Sequence, residues 1–94
     1  MKTDLDDETL KRLAYIQVSS YRVKAMNTLK NGEVKTPTII AKDAGIRPNH
    51  ISKALSELKS QGIAECINEE ARKGRLYRLT PVGQEIFDEL KIKK

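Results

Sequence analysis

The chain of 94 residues carries 18 lysines and arginines against 13 aspartates and glutamates, a net charge of +5. Its length predicts a single domain, and periodic apolar residues, 38% of the total, argue against disorder. One cysteine and one histidine exclude an intramolecular disulfide and a cysteine-based zinc site, so we expect no metal or other cofactor. No apolar run has the length of a membrane span and residues 1–10 are acidic, so we expect a cytoplasmic protein without membrane association.

The positive charge is concentrated in the middle of the chain. Residues 1–10 hold one basic and four acidic residues, whereas residues 11–60 hold ten basic and three acidic residues. Residues 61–94 nearly balance, with seven basic and six acidic residues. A basic central segment suits a polyanionic partner, but a lysine-rich solvated surface explains the charge alone equally well.

The first third of the chain predicts one long helix or two shorter ones. Acidic side chains favour a helix start, and four are present: Asp4, Asp6, Asp7 and Glu8. The apolar positions with helical spacing that follow are Leu10, Leu13, Ala14 and Val18, then Tyr21, Ala25, Met26 and Leu29. Ser19 and Ser20 lie between the two runs and suit an N-cap, so both alternatives stay open. Asn31–Gly32 ends this helical region.

Two short helices separated by a tight turn are predicted next, after a short edge strand at Glu33–Lys35. Thr36–Pro37 is typical of an N-cap followed by proline in the first turn, and Gly45 ends the first of these helices. Pro48 begins the second helix in the same way. Its apolar face consists of Ile51, Ala54, Leu55 and Leu58. This arrangement is a helix-turn-helix.

The remaining segments predict a β-hairpin and a last helix. Residues 63–67 and 76–79 are typical of strands, and a polar stretch with Gly74 separates them. Thr80–Pro81 caps the last helix. Its apolar face consists of Val82, Ile86, Phe87 and Leu90. The predicted fold class is therefore mainly α with a small β-hairpin.

Polar side chains with the chemistry of base recognition occupy the outer face of the second short helix. With the apolar face buried, the exposed positions are Asn49, His50, Ser52, Lys53 and Ser56, with Arg47 just ahead. Asparagine pairs with adenine and arginine with guanine through two hydrogen bonds, and serine bonds to phosphate or base. His50 is either a DNA contact or an ordinary surface residue.

The hairpin tip carries a second basic cluster, Arg72-Lys73-Gly74-Arg75. A basic hairpin beside a helix-turn-helix is placed to contact phosphates or a minor groove. The neighbouring Glu69 and Glu70 favour the alternative of a solvated loop. Lys42 and Lys59 are further candidates for phosphate contacts.

The sequence contains TPTIIAKDAGIRPNHISKALSELKSQGI at residues 36–63 and ARKGRLYRLTPVGQEIF at residues 71–87. Together with SSYRVKAMNTLKNG at residues 19–32, these segments resemble the winged helix-turn-helix transcriptional regulators called MarR- or ArsR-like, especially minimal archaeal members. The resemblance extends from residue 19 to residue 90. It implies a recognition helix at about residues 48–60, a wing at about residues 63–80, and homodimers built from the terminal helices.

On this basis we divide the chain into a helical extension (1–18), a winged-helix core (19–80) and a C-terminal helix (81–94) expected to dimerise. One departure concerns Arg47, which stands where many relatives have serine or threonine as the helix cap. The cap is therefore weaker, but a DNA contact is gained. The chain also lacks a cysteine pair or acidic and histidine metal cluster, so metal sensing is not implied. Cys66 is predicted to be a buried hydrophobe, and Tyr77 a core residue.

The leading hypothesis is a homodimeric regulator, acting as a repressor, that binds double-stranded DNA and has no enzymatic activity. The dimer contact is expected from apolar residues that one core does not wholly bury: Val82, Ile86, Phe87 and Leu90, with Leu10, Leu13 and Val18. The alternatives are a winged helix that binds another protein in a larger transcription or replication complex, and a non-specific chromosomal protein.

Overall fold

The computed structural model describes residues 7–92, without the side chains of the last two. Asp4 and Asp6, predicted at the start of the first helix, lie outside these residues. The elements in chain order are α1 (Asp7–Gln17), α2 (Ser20–Thr28), a 3₁₀ turn (Lys30–Gly32), α3 (Pro37–Ala44), α4 (Pro48–Ser60), β1 (Ala64–Cys66), β2 (Tyr77–Leu79) and α5 (Pro81–Ile92). None of these helices has the length and apolar character needed to cross a membrane.

The N-terminal helical region consists of two helices, which resolves the alternative left open by the sequence. Ser19 has an extended backbone conformation and interrupts the helical path. Its hydroxyl accepts a hydrogen bond from the amide of Arg22 at 3.3 Å and so caps α2. Beyond α2, Asn31 has a left-handed backbone conformation, with φ of 61°, and the chain turns towards α3.

A polar cap and a glycine cap define α3 as predicted, whereas α4 begins without a side-chain cap. The hydroxyl of Thr36 accepts a hydrogen bond from the amide of Ile39, and Pro37 occupies the first turn of α3. Gly45 ends α3 with φ of 70°, a conformation that glycine adopts without strain. Arg47 occupies the cap position of α4 and makes no capping side-chain hydrogen bond.

The core lies where α2, α3 and α4 pack against one another, with α1, α5 and the hairpin closing its sides. The apolar face predicted for α4 is buried in full. Each of the five helices contributes to the largest completely buried side chains, which are Ile16, Met26, Leu29, Ile40, Ile51, Leu55, Leu58, Ile63 and Ile86. Cys66 is buried as predicted, and Tyr77 packs against the core.

The hairpin is antiparallel and shorter than the sequence predicted. Its register pairs Ala64 with Leu79 and Cys66 with Tyr77. The predicted strand residue Ile63 instead closes the end of α4, because its amide bonds to the carbonyl of Leu58 at 2.9 Å. The predicted edge strand is reduced to one bridge, between Lys35 and Tyr77.

Some predicted apolar positions point to solvent rather than to the core. Val18 is 79% exposed because α1 ends at Gln17 and leaves Val18 in the turn. Tyr21 and Leu10 are 40% and 44% exposed. Conversely, Ile16 is completely buried, although the helical pattern chosen from the sequence omitted it. Within α1, the buried face therefore runs through Leu13 and Ile16 rather than through Leu10 and Ala14.

A close backbone contact joins α5 to the hairpin at Gly83. A Cβ atom added there would overlap the carbonyl oxygen of Ile63. That carbonyl is held in place because it accepts a hydrogen bond from the amide of Thr80 at 3.0 Å. Only glycine therefore allows α5 to approach the hairpin so closely.

We expect Gly83→Ala to lower the free energy of unfolding by about 1–3 kcal/mol, because the overlap with Ile63 forces the backbone apart. Helix propensity alone predicts a gain of about 1 kcal/mol, the opposite sign. Denaturant unfolding measures the difference, and Glu85→Ala on the exposed side of α5 should change stability by less than about 0.5 kcal/mol. A Gly83→Ala variant as stable as the wild type would contradict the contact.

Candidate nucleic-acid interface

The outer face of α4 presents polar side chains that have no partner among the residues that the structure describes. Arg47 and Lys53 are exposed, and their side chains make no hydrogen bond or ion pair within residues 7–92. The same holds for the polar positions Asn49, Ser52 and Ser56. Since every polar group on this face is available, the face can bind an external ligand rich in hydrogen-bonding groups.

His50 is the exception among the predicted residues of α4, because it is half-buried. Its ring stacks on Tyr21 of α2, with centroids 4.6 Å apart and an interplanar angle of 24°. Neither imidazole nitrogen makes a hydrogen bond in the described part of the chain. The sequence predicted His50 as a candidate contact but missed its partner Tyr21, which was assigned to the apolar pattern.

Lys42 in the last turn of α3 lies near Arg47, which precedes α4. Both border a shallow depression that also contains Gly45 and Pro48. Lys42 is exposed and forms no ion pair among the residues that the structure describes. The turn therefore adds positive charge beside the start of α4.

The basic cluster of the hairpin tip lies against the start of α3. Arg72, Lys73 and Arg75 line a cleft of about 410 Å³ together with residues 36–38. Arg72 and Lys73 have no ion-pair partner within residues 7–92, whereas Nε of Arg75 donates to the carbonyl of Ala71 at 2.7 Å. The structure thus brings the tip next to the helix-turn-helix, as the sequence predicted only from chain order.

Asn68 holds the hairpin loop closed through two side-chain hydrogen bonds, and it was not among the predicted residues. Its side-chain oxygen accepts a hydrogen bond from the amide of Leu76 at 2.7 Å, and its side-chain nitrogen donates to the carbonyl of Gly74 at 3.2 Å. These two bonds close the loop across its base. The preference of asparagine for local backbone hydrogen bonds in turns is the signal that would have pointed to it.

Lys59, predicted as a phosphate contact, forms an ion pair with Glu69 at 2.8 Å. The pair joins the end of α4 to the hairpin loop. A hydrogen bond from Lys59 lowers the pKa of Glu69, and the same bond raises the pKa of Lys59. Both side chains are solvent-exposed, so this pair is easily exchanged for other partners.

A second polar link fixes α4 against the N-terminal helices. Nε of Arg22 donates to Glu57 of α4 at 3.0 Å, and its guanidinium lies 3.7 Å above the ring of Tyr15 in α1. Arg22 also donates to the carbonyl of Tyr15. Its side chain is only 13% exposed, so this basic residue acts inside the fold. From the sequence, Arg22 contributed only to the net charge, and its contacts with Glu57 and Tyr15 were not predicted.

No family model and no curated protein matches the chain. Among solved structures, TubR from Bacillus thuringiensis serovar israelensis, bound to 24 bp of tubC, has a TM-score of 0.77 at 15% identity over 99% of this chain and 100% of TubR. A homodimeric DNA-binding domain from Mycobacterium bovis, described as a possible ArsR-family regulator, has a TM-score of 0.73 at 18% identity over 98% and 89%. A MarR-family regulator from Silicibacter pomeroyi has a TM-score of 0.70 at 13% identity over 93% and 64%.

The fold is a winged helix-turn-helix. In the vocabulary of this fold, α3 and α4 form the helix-turn-helix, α4 occupies the position named the recognition helix, and the hairpin of β1 and β2 is named the wing. The chain spans only 57% and 64% of the length of two MarR-family regulators with this winged-helix domain. At these low identities the TM-scores show a common fold alone, and both families that the sequence motifs resemble occur among these structural neighbours.

The ion pair between recognition helix and wing is testable by pH titration. We expect Lys59→Met to raise the pKa of Glu69 towards its ordinary value, because the hydrogen bond that lowers it is lost. The stabilisation from Glu69 is present above the ordinary pKa of a glutamate and is lost as the pH falls through its lowered pKa. Carbon-detected NMR of the Glu69 carboxyl measures the shift. Lys53→Met is the control that should leave it unchanged, and an identical Glu69 titration in Lys59→Met and wild type would exclude the pair in solution.

Proposed function

We propose that the protein is a homodimeric DNA-binding transcriptional repressor that inserts α4 into the major groove and places the wing on the flanking backbone. The observation that carries this proposal is the set of unpaired polar and basic side chains on the outer face of α4, next to the unpaired cations of the wing. By contrast, Arg22 and Lys59 are paired with Glu57 and Glu69. Lys11, Lys24 and Lys30 are also exposed and unpaired within residues 7–92, but they are dispersed over α1, α2 and the 3₁₀ turn. Unpaired cations on one surface suit a polyanion.

Each predicted residue has a role that follows from its position. Asn49, His50, Ser52 and Lys53 in the first two turns of α4 would contact base edges. Arg47 would contact a base or a phosphate at the helix start. Arg72, Lys73 and Arg75 would contact the flanking backbone, and Lys42 would bind a phosphate beside the helix-turn-helix. Lys59 would reach a phosphate only by leaving Glu69.

The structural neighbours support the proposal without deciding it. TubR was determined with a 24-bp DNA, and the Mycobacterium bovis domain is a homodimer. A bound dimer excludes other proteins from the same DNA, which is why repression is the mode of action that we propose. We also propose that the protein is of the archaeal type that its sequence resembles and that it acts in the cytoplasm.

The test is fluorescence anisotropy with a random duplex and with duplexes from the protein's own upstream region, over a salt series. We expect binding that weakens steeply with salt and is at least about a hundredfold tighter on one duplex. Equal binding to every duplex would favour the non-specific chromosomal protein. No binding at low salt would overturn the DNA proposal and favour a protein-binding winged helix.

Two sets of variants separate backbone from base contacts. We expect Arg72→Ala/Lys73→Ala to weaken binding to all duplexes by a similar factor and to reduce the salt slope by about 2, because two phosphate contacts are lost. Asn49→Ala should weaken only the specific complex, by about 1–3 kcal/mol. The matched control is Lys24→Ala/Lys30→Ala, which removes the same charge from the middle of α2 and from the 3₁₀ turn that follows it. Equal losses in the control and wing variants would argue against a wing contact.

The dimer contact that we propose consists of the predicted apolar residues that the core leaves exposed. Leu13, Ile86 and Phe87 are buried in the core and are not available to a partner. Leu10 of α1 and Val18 of the turn after it stay exposed, with the exposed Ala14 between them at helical spacing. This stripe, together with the 40% exposed Val82 of α5, is the proposed contact with a second copy.

We expect sedimentation to give a dimer at micromolar concentration and Leu10→Glu/Val18→Glu to give a monomer, because charges cannot be buried unpaired in the contact. The matched control, Ser52→Glu/Ser56→Glu on α4, should remain dimeric in the absence of DNA. A monomeric wild type, or a dimeric Leu10→Glu/Val18→Glu variant, would overturn the proposed contact.

A further inference from the structure

Tyr21 is an aromatic residue on the protein surface where its helical spacing predicted a core position. It is 40% exposed and lies outside the group of core side chains. The aromatic ring on which it stacks is that of His50, a residue of the recognition helix. Tyr21 therefore contributes little to the core, and its defined contact is with a side chain of the candidate interface.

The neighbours of Tyr21 hold it in a fixed position. Ser19 caps the helix two residues earlier, and Tyr21 lies in the first turn of α2. The next residue, Arg22, is bound to Glu57 of the recognition helix and to Tyr15 of α1. Because its backbone is fixed on both sides relative to α4, Tyr21 offers His50 a rigid surface.

The stack on Tyr21 leaves the two imidazole nitrogens of His50 free to bind. A stacked imidazole uses its ring face, whereas its two nitrogens lie at the ring edge and bond in the ring plane. Both nitrogens are without a partner within residues 7–92. The cleft of about 320 Å³ at this place also contains Lys53, and its other charged residues, Arg22 and Glu57, neutralise each other. The surroundings of His50 are therefore positive and open to a polyanion.

We propose that Tyr21 is a positioning residue for DNA recognition: it holds the imidazole of His50 in one orientation, with its ring edge directed to a base edge in the major groove. This inference rests on the proposed function and adds a residue outside the helix-turn-helix to it. The energetic benefit comes from order, since an imidazole that is already fixed loses less rotational freedom when it binds.

The first test is a double-mutant cycle on DNA affinity. Tyr21→Ala and His50→Ala each weaken the specific complex about 3- to 10-fold, the range of a single aromatic pair, and leave random-duplex binding unchanged. The double variant binds no more weakly than either single variant, because the two residues act through one contact. Tyr21→Phe keeps the ring and retains wild-type affinity. Multiplying losses, or a Tyr21→Phe loss equal to that of Tyr21→Ala, overturns the proposal.

The second test needs no DNA. His50 is the only histidine of the chain, so its ring protons are identified in NMR spectra without assignment. Their signals carry the ring-current shift of Tyr21 in the wild type and in Tyr21→Phe, and lose it in Tyr21→Ala and in Tyr21→Leu, which keeps the apolar volume. Unchanged signals overturn the stack. Failure of the wild type to bind DNA overturns the proposed function and this role together, whereas normal binding with an uncoupled cycle overturns this role alone.

Discussion

The buried face of α4, with Ile51, Leu55 and Leu58 against α2 and α3, is the contact on which the arrangement of the protein depends. Burying each such side chain stabilises the fold by about 1.5–3 kcal/mol, so the helix cannot rotate without a large loss. A helix with one face fixed has its other face fixed too, since residues three and four apart share a side. Core packing therefore determines which residues of α4 face the solvent.

The cations of the protein fall into two groups: some are paired within the fold, and others on the outer face of α4 are unpaired. Arg22 is held between α1 and α4 by Glu57 and Tyr15, and its burial makes this link a part of the fold. Lys59 and Glu69 form an exposed link of the same kind between α4 and the wing. The outer face of α4 contains no acidic residue in its first two turns, so its cations stay unpaired. An unpaired positive surface is stable in water and strongly attracts phosphates.

At position 47, helix capping and the proposed DNA contact favour different residue types. A serine or threonine there would cap α4 and add about 1 kcal/mol of stability. Arginine cannot accept the amide hydrogen bond, and the structure shows no side-chain cap. Pro48 reduces the loss because it has no amide hydrogen to satisfy and its backbone angle suits the first turn. The helix start is therefore adequate for folding and exposes a cation.

The sequence by itself determined the two central helices and how they begin and end, because this depends on local chemistry: Thr36, Gly45 and Pro48 act on their own helices. Helical periodicity also determined both faces of α4. Only the tertiary structure decided which exposed groups are free, because pairs such as Lys59 with Glu69 and His50 with Tyr21 join separate elements.

The same limit explains the remaining differences. Sequence pattern ranks a tyrosine or a valine as apolar, but whether Tyr21 or Val18 is buried depends on where neighbouring helices end and pack. The glycine at position 83 looks like an unfavourable helix residue until the carbonyl of Ile63 is seen beside it. Local preferences act over a few residues, whereas burial, ion pairing and close contact depend on residues far apart in the chain.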